Sequence, residues 1–247
     1  MSATELTESY KRYHGDDRFD AIVIGSGLGG LAVASLLARE KSWRVAVLER
    51  HYTAGGFTHT FKRPGYEWDV GVHYLGELGD SKRSMRRMFD GISAAPIEWA
   101  DLGEVYDRVF LGGNKYDYVK GREAWRDAMC AHFPNETRAI DRYLDLVREV
   151  ARAANTYYAA RIVPRAVATL FGGWMGRAFM KHAARTTRSV LEELTRDQEL
   201  IAVLTAQWGD YGLPPAESSF AMHATVTRHY FRGAYYPVGG ASRIAEA

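Results

Sequence analysis

Apolar residues recur along this chain with two different periods, and the switches between them mark its elements. Ala21–Ile24 (AIVI) and Arg44–Leu48 (RVAVL) carry short apolar runs bounded by polar residues. Such runs suit strands buried in a parallel sheet. Leu31, Ala32, Ala34, Leu36, Leu37 and Ala38 lie between them and favour a helix. Residues 19–49 therefore read strand, helix, strand. Further on, Tyr106–Leu111 and Lys115–Val119 flank Gly112, Gly113 and Asn114, which predicts a β-hairpin with Tyr116 and Tyr118 on one side.

Elsewhere the period is helical. Ser84–Phe89 predicts a short helix with Arg83, Arg86 and Arg87 clustered on it, a group that suits a phosphate or lipid headgroup or, more commonly, a solvated face. Trp125, Met129 and Phe133 recur at steps of four until Pro134, and Cys130 within this pattern reads as a buried core thiol. Asn135 is placed to cap the next helix, whose apolar face is Ile140, Leu144, Val147 and Val150. Asp141, Asp145 and Glu149 are interleaved there with Arg138, Arg142, Arg148 and Arg152, the pattern of an ion-paired surface and not of a metal site. Helices are also predicted over Ser189–Leu194, from near Thr195, and over Ser218–His229, with a turn at Tyr211–Pro215. Neither His223 nor His229 clusters with Cys130 for a metal.

Residues 157–188 contain no acid. Tyr157, Tyr158, Ile162, Val163, Val167, Leu170, Phe171, Trp174, Met175, Phe179 and Met180 alternate there with Arg161, Arg165, Arg177, Lys181, Arg185 and Arg188. Two readings stand side by side. One is a helix lying in a lipid headgroup layer, a peripheral membrane contact. The other is a core helix whose arginines face water.

The chemistry is concentrated where the first strand ends. Gly25, Gly27 and Gly30 make G-x-G-x-x-G between that strand and the helix. The first glycine permits a tight turn, the second lets a pyrophosphate reach the backbone, and the third lets helix and strand pack. The helix N-terminus then offers free N–H groups and a positive dipole end to the phosphates. Glu49 ends the second strand about twenty residues later, where a carboxylate accepts ribose hydroxyls. A second glycine pair, Gly55-Gly56, implies another backbone segment lying close against a dinucleotide.

Composition adds limits. The 247 residues allow one large domain or two small ones, and a net charge of +2 gives no leaning toward nucleic acid. A single cysteine excludes an intramolecular disulfide and fits a reducing, cytoplasmic compartment. Residues 1–18 read as a polar tail without a secretory signal, and no run approaches a membrane span.

The runs GSGLGGLAVASLLA, VAVLER and AGG resemble the extended FAD-binding pattern shared by amine oxidases, phytoene desaturases and Rab GDP-dissociation inhibitors. His59-Thr60-Phe61, the stretch Gly65–Gly76 and the segment Tyr235–Ser242 narrow the likeness to the retinol saturase and carotenoid isomerase branch of the phytoene desaturase family. That resemblance implies an α/β fold, a Rossmann-like FAD-binding domain of the amine-oxidase (GR2) type with an inserted mixed substrate lobe. It implies FAD along Gly25, Ser26, Gly27, Leu28, Gly29 and Gly30, with Glu49 on the adenosine ribose and Arg50 near the adenine. Gly55, Gly56 and Phe57 lie against the cofactor in this reading, and the segment Asp69–Tyr74, with Val72 and His73 in it, runs past the flavin ring. His73 is the best polar candidate there, as a catalytic acid or base or as an idle core histidine.

The implied activity is oxidoreduction or isomerisation at carbon–carbon bonds of an apolar polyene or isoprenoid. The rivals are an amine-oxidase-like flavoenzyme, which needs an anionic site for its amine, and a non-catalytic isoprenoid-lipid binder of the GDP-dissociation-inhibitor kind. The expected domains are a dinucleotide-binding segment over 19–76, a substrate-side lobe over 77–235, and a return segment over 236–247. Members of that family are longer, so the chain is expected to be truncated at its C-terminal side, with the other half missing or carried on another chain.

Overall fold

The computed structural model describes residues 7–247. The elements in chain order are β1 (Ala21–Ile24), α1 (Leu28–Lys41), β2 (Val45–Leu48), β3 (Thr60–Arg63), β4 (Tyr66–Asp69), β5 (Leu75–Gly76), α2 (Ser84–Ile92) and β6 (Trp99–Asp101). They continue with β7 (Val105–Leu111), β8 (Asn114–Val119), α3 (Arg122–His132), α4 (Thr137–Ile162), α5 (Arg165–Ala183), α6 (Thr187–Leu194), α7 (Gln198–Leu204), α8 (Phe220–Tyr230), β9 (Ala234–Pro237) and α9 (Arg243–Glu246). Contacts divide them into two compact units. One runs to Leu102 and resumes over Ala234–Ala247, and the other is Gly103–Gly233.

In the first unit β1 and β2 pair in parallel, from Ala21 opposite Val45 to Ile24 opposite Leu48, with α1 as the crossover. The polar tail is held to this unit at Asp16, whose carboxylate pairs with Arg44 at 2.7 Å; residues 1–6 of that tail lie outside the described residues. β3 and β4 form a hairpin, and β9 enters between β5 and β6 as the middle strand of an antiparallel sheet. The core is Leu78, Phe89, Ile97, Tyr235 and Ile244.

Two expectations change here. The strands β1 and β2 are not fully buried: Ile22 is 61% exposed, Ile24 87% and Leu48 47%. The physical reason is that this sheet has only two strands among the described residues, so one set of alternating side chains has no layer against it. The unit boundary also falls after Leu102 and not after residue 76. Helix α2 is tied to α1, because the Ser35 hydroxyl donates to the Ile92 carbonyl at 2.6 Å and Arg39 to the Gly91 carbonyl at 2.7 Å. Phe89 then completes the core with Tyr235, which carries α2 and β6 into the dinucleotide-type unit.

The second unit joins the β7–β8 hairpin to six helices. Gly112 and Gly113 turn it with φ of 58° and 86°, and Tyr116 and Tyr118 both point into the core. Ile140, Leu144, Val147 and Val150 of α4 are buried as their spacing predicts. Beneath them the Tyr143 hydroxyl bonds His223 Nε2 at 2.9 Å and Thr227 at 3.0 Å, and Tyr211 bonds the other ring nitrogen at 3.1 Å. Local details differ from expectation. Asn135 does not cap α4, because Pro134–Glu136 forms a 3-10 turn ahead of it. Helix α7 starts at Gln198 and not near Thr195, since the Asp197 side chain accepts from the Glu199 and Leu200 amides. Cys130 is only half-buried, on the flank of α3. Residues 157–188 are not one helix: α4 ends at Ile162, Val163-Pro164 breaks the chain, and α5 packs back with Tyr157 stacked on Phe179 at 4.6 Å. The side chains of Arg165, Val167, Leu170 and Phe171 in that stretch lie outside the described residues.

Candidate cofactor site

The turn after β1 brings both glycine motifs to one place. The Gly25 amide donates to the Leu48 carbonyl at 2.7 Å, so the first glycine closes over the end of β2. Gly30 must lack a side chain, because a Cβ there would lie 2.1 Å from the Gly25 carbonyl oxygen. This is the contact that lets α1 start directly behind the turn. At Gly27 the situation is opposite: an added Cβ would meet no atom within 4 Å. The backbone is therefore bare toward open space, at the N-terminus of a helix that no side chain caps. Gly29 is bare in the same way.

Gly55 pairs with Gly27 in a parallel bridge, and its amide donates to the Ser26 carbonyl at 3.1 Å. Gly56, at φ 58°, comes so near that a Cβ would sit 2.8 Å from the Gly27 Cα. The second glycine pair thus presses on the first motif, as the spacing suggested. Ser26 is the fastener. Its hydroxyl and amide both donate to the Glu49 carboxylate, at 2.5 and 2.8 Å, while the His51 amide donates to the other oxygen at 2.7 Å. These donors, the Ser26 hydroxyl foremost, lower the Glu49 pKa to about 2. A carboxylate has about four acceptor positions. The Ser26 hydroxyl and amide take Oε2, the His51 amide takes Oε1, and the Arg50 backbone amide adds to them.

A cavity of about 650 Å³ opens beside this carboxylate. Ser26, Leu31, Val47, Glu49 and Ala54 line one side, and Tyr10, Arg12, His51 and Tyr52 contribute to the rest. Its size and its polar edge at Glu49 fit the adenosine part of a dinucleotide, and the bare helix N-terminus fits the diphosphate. Arg50 is exposed beside Glu49.

The other expected residues are more dispersed. Phe57 is 78% exposed and covers Gly71, where a Cβ would be 2.9 Å from the Phe57 Cβ. Val72 packs against the core of the unit. His73 is exposed on the link between β4 and β5; its Nδ1 accepts from the Tyr74 amide at 2.8 Å and its ring meets Tyr74 edge to face. That bond leaves Nε2 as the protonated nitrogen of the neutral ring. Sequence reasoning placed Asp69 in the segment beside the flavin ring but missed its pairing with Tyr236. The Asp69 carboxylate accepts from the Tyr236 hydroxyl and from the Ala241 amide at 3.1 Å, which fastens β4 to the return segment. Burial, then this bond, pushes the Tyr236 pKa up to about 12. The only signal was that both residues fall in the two segments that carry the family resemblance. Among the described residues no group of three or more His, Cys, Asp and Glu side chains is placed to hold a metal ion.

The model of the NAD(P)-binding Rossmann-like domain matches residues 23–92. The chain is 40% identical over 234 residues to an all-trans-retinol 13,14-reductase of Danio rerio, covering 92% of this chain and 38% of the relative. It is 35% identical to the Homo sapiens protein of the same name, covering 97% and 40%. A chloroplastic prolycopene isomerase of Arabidopsis thaliana is 49% identical over 247 residues, covering 96% and 41%. The chain therefore spans about two-fifths of the length of these curated relatives. Among solved structures, putrescine oxidase bound to putrescine matches with a TM-score of 0.58 at 17% identity, over 92% of this chain and 48% of that one. Cyclohexylamine oxidase from Brevibacterium oxydans matches with a TM-score of 0.54 at 17% identity, over 92% and 48%. These structural likenesses establish the fold, a Rossmann-like unit carrying a mixed insertion.

Proposed function

We propose, for a chain that belongs with the all-trans-retinol 13,14-reductases and prolycopene isomerases, that it forms the FAD-holding part of an oxidoreductase acting on an apolar polyene. The observation that carries this reading is the joint of Ser26, Glu49 and the two glycine motifs beside a cavity of adenosine size. Gly27 and Gly29 would take the diphosphate, the Glu49 carboxylate the ribose, and Gly55 and Gly56 hold the turn in shape. When bound, FAD supplies two-electron chemistry at a carbon–carbon bond.

The chain's own residues then bind, orient and exclude water. Asp69 and Tyr236 fix the segment leading to Val72 and His73, so its backbone is set before a ligand arrives. His73, with its proton on Nε2, is proposed as the group able to move a proton in that segment. The exposed face of Ile22, Ile24 and Leu48 is proposed to receive further strands of polypeptide, on this chain's continuation or on another chain. The lipid reading of the α4–α5 hairpin is favoured by exposure. Tyr158 (58%), Ile162 (86%), Trp174 (71%) and Met180 (50%) are solvent-facing apolar groups near Arg161, Arg177 and Lys181. Among the described residues no helix is long and apolar enough to cross a membrane, so the proposal is contact with one face of a bilayer.

Turnover tests the reading. The protein is loaded with FAD, chemically reduced without oxygen, and given all-trans-retinol or prolycopene. Saturation of a double bond, seen as a blue-shifted polyene spectrum, or cis–trans isomerisation, seen as a red-shifted one, each with a new chromatographic product, is the expected result. Retained flavin with every polyene unchanged would overturn the substrate class.

A further inference from the structure

Where α5 packs back on the end of α4, a cavity of about 640 Å³ is lined by the cations Arg161, Arg177 and Lys181. Tyr157, Gly173, Gly176 and Met180 complete the lining. Building on the bilayer contact of this hairpin, we propose that the cavity seats the phosphate headgroup of an anionic phospholipid. The contact then selects lipids by charge and not by apolar surface alone. The whole lining belongs to Gly103–Gly233, so the site is distinct from the cavity at Glu49.

Charge matching points to an external anion. Arg185 and Arg188, in the same acid-free stretch, reach beyond it to Glu193 and Glu192 at 2.6 and 2.7 Å. His182 faces Glu149 at 4.0 Å. Among the described residues no carboxylate pairs with Arg161, Arg177 or Lys181. Arg161 is held by a neutral partner instead. Its Nη2 donates to the Tyr157 hydroxyl at 2.7 Å, and the guanidinium lies 4.9 Å from the centre of that ring. Both contacts orient the group and leave its charge uncancelled.

Two glycines keep the space between these cations open. Gly173 and Gly176 stand inside α5, where only proline costs a helix more than glycine. Packing requires neither of them. A Cβ on Gly173 would meet no atom within 4 Å, and one on Gly176 would rest in ordinary contact, 3.4 Å from the Tyr157 ring. The backbone of α5 is therefore bare where a phosphate and its glycerol would lie. Guanidinium forks match phosphate oxygens in pairs, and the lysine adds a point charge.

The surround favours a lipid over a soluble anion. Met180, in the lining, is exposed, as are Ile162 beside Arg161 and Trp174 beside Gly173. A free phosphate makes no use of apolar groups. A headgroup brings acyl chains with it, which such side chains meet while the cations stay at the phosphate level.

Vesicle flotation of the full chain tests the site, with phosphatidylcholine alone and with phosphatidylcholine carrying phosphatidylglycerol. The unaltered chain is compared with Arg177→Gln plus Lys181→Gln, with Gly173→Gln, and with Arg138→Gln, which removes a charge from an exposed position of α4 outside the cavity. Gly173→Gln keeps every charge and fills the space with a good helix former, so it separates a cavity from a merely basic surface. The expected result is binding about tenfold or more tighter with phosphatidylglycerol, about what two cations near a charged bilayer supply. That preference should be lost in the double variant and in Gly173→Gln and kept in Arg138→Gln. Equal binding to both vesicle types would leave the bilayer contact standing and overturn the headgroup site. A preference kept in either cavity variant, or lost equally in Arg138→Gln, would overturn the site by assigning the effect to diffuse charge. Binding to neither vesicle type would overturn the bilayer contact and the headgroup site together, and calorimetric binding of glycerol phosphate by such a chain would give the cavity to a soluble anion.

Discussion

Ser26 and Glu49, twenty-three residues apart, are joined by two hydrogen bonds that run from the amide and the hydroxyl of the serine to one carboxylate oxygen. The bonds bind the turn after β1 to the end of β2, so the shape of the glycine loop depends on a charge. Glu49 is held well below the ordinary carboxylate range, to about 2. A carboxylate whose folded pKa is depressed stabilises the fold fully above its unfolded value and loses that contribution as pH falls through the folded one. Stability should therefore decline between about pH 4.5 and 2. Allowing for solvent screening of this surface-lying group, about 1 kcal/mol is at stake. Urea melts across that range should show the decline, and Glu49→Gln should flatten it.

The two central glycines should separate folding from binding. Gly27→Ala places its methyl in open space at an ordinary helix-entry φ of −65°. The melting temperature should hold or rise slightly, since alanine restricts the unfolded chain, while FAD affinity falls because the diphosphate can no longer approach. Gly30→Ala drives its methyl into the Gly25 carbonyl at 2.1 Å. It should cost about 2 kcal/mol or more in stability by overpacking, as thermal melts of both variants would report.

His223 gives the second unit its own pH response. Burial drives its pKa down to about 4, and both ring nitrogens are engaged by tyrosine hydroxyls. The folded state thus refuses a proton that the unfolded chain accepts below about 6.5. Stability should be complete above that value and fall by about 3 kcal/mol as pH drops toward 4. Tyr143→Phe should cost about 1–3 kcal/mol at neutral pH, because it removes one partner from a buried pair. Chemical denaturation monitored by tryptophan fluorescence checks both.

The bare face of β1 should make the chain self-associate. Ile24, 87% exposed, is the most accessible apolar residue on it. Ile24→Lys should shift the protein toward monomer in analytical ultracentrifugation while changing stability by no more than about 0.5 kcal/mol. A matching loss of folded protein would place Ile24 inside the core instead.

Legibility in the sequence followed the range of the interactions. The strand–helix–strand start and the β7–β8 hairpin were readable because run length and turn glycines are local signals. Gly25, Gly27, Gly30, Glu49 and Gly55-Gly56 were readable because their spacing is fixed by the turn itself, and the structure gathers them at one joint. The bond between Asp69 and Tyr236 spans 167 residues and leaves no periodic trace. The unit boundary after Leu102 depends on Ser35 and Arg39 reaching the end of α2, again a distant pairing. The solvent-facing side of β1 defeated pattern reading for another reason. An apolar run reports what a strand is suited to touch, and here that neighbour is not among the described residues. The break at Val163-Pro164 was visible in principle, since proline cannot continue a helix at that point.

The central claim is that this chain carries an FAD site built on Gly27, Ser26 and Glu49. Its most direct test is the quenching of flavin fluorescence as the purified 247-residue chain is titrated into FAD, beside Gly27→Ala and Glu49→Gln. Saturable quenching near one FAD per chain, weakened about tenfold or more in both variants at unchanged melting temperature in Gly27→Ala, is the predicted result. Quenching of equal strength in all three proteins, or none in a chain that melts cooperatively, would contradict it.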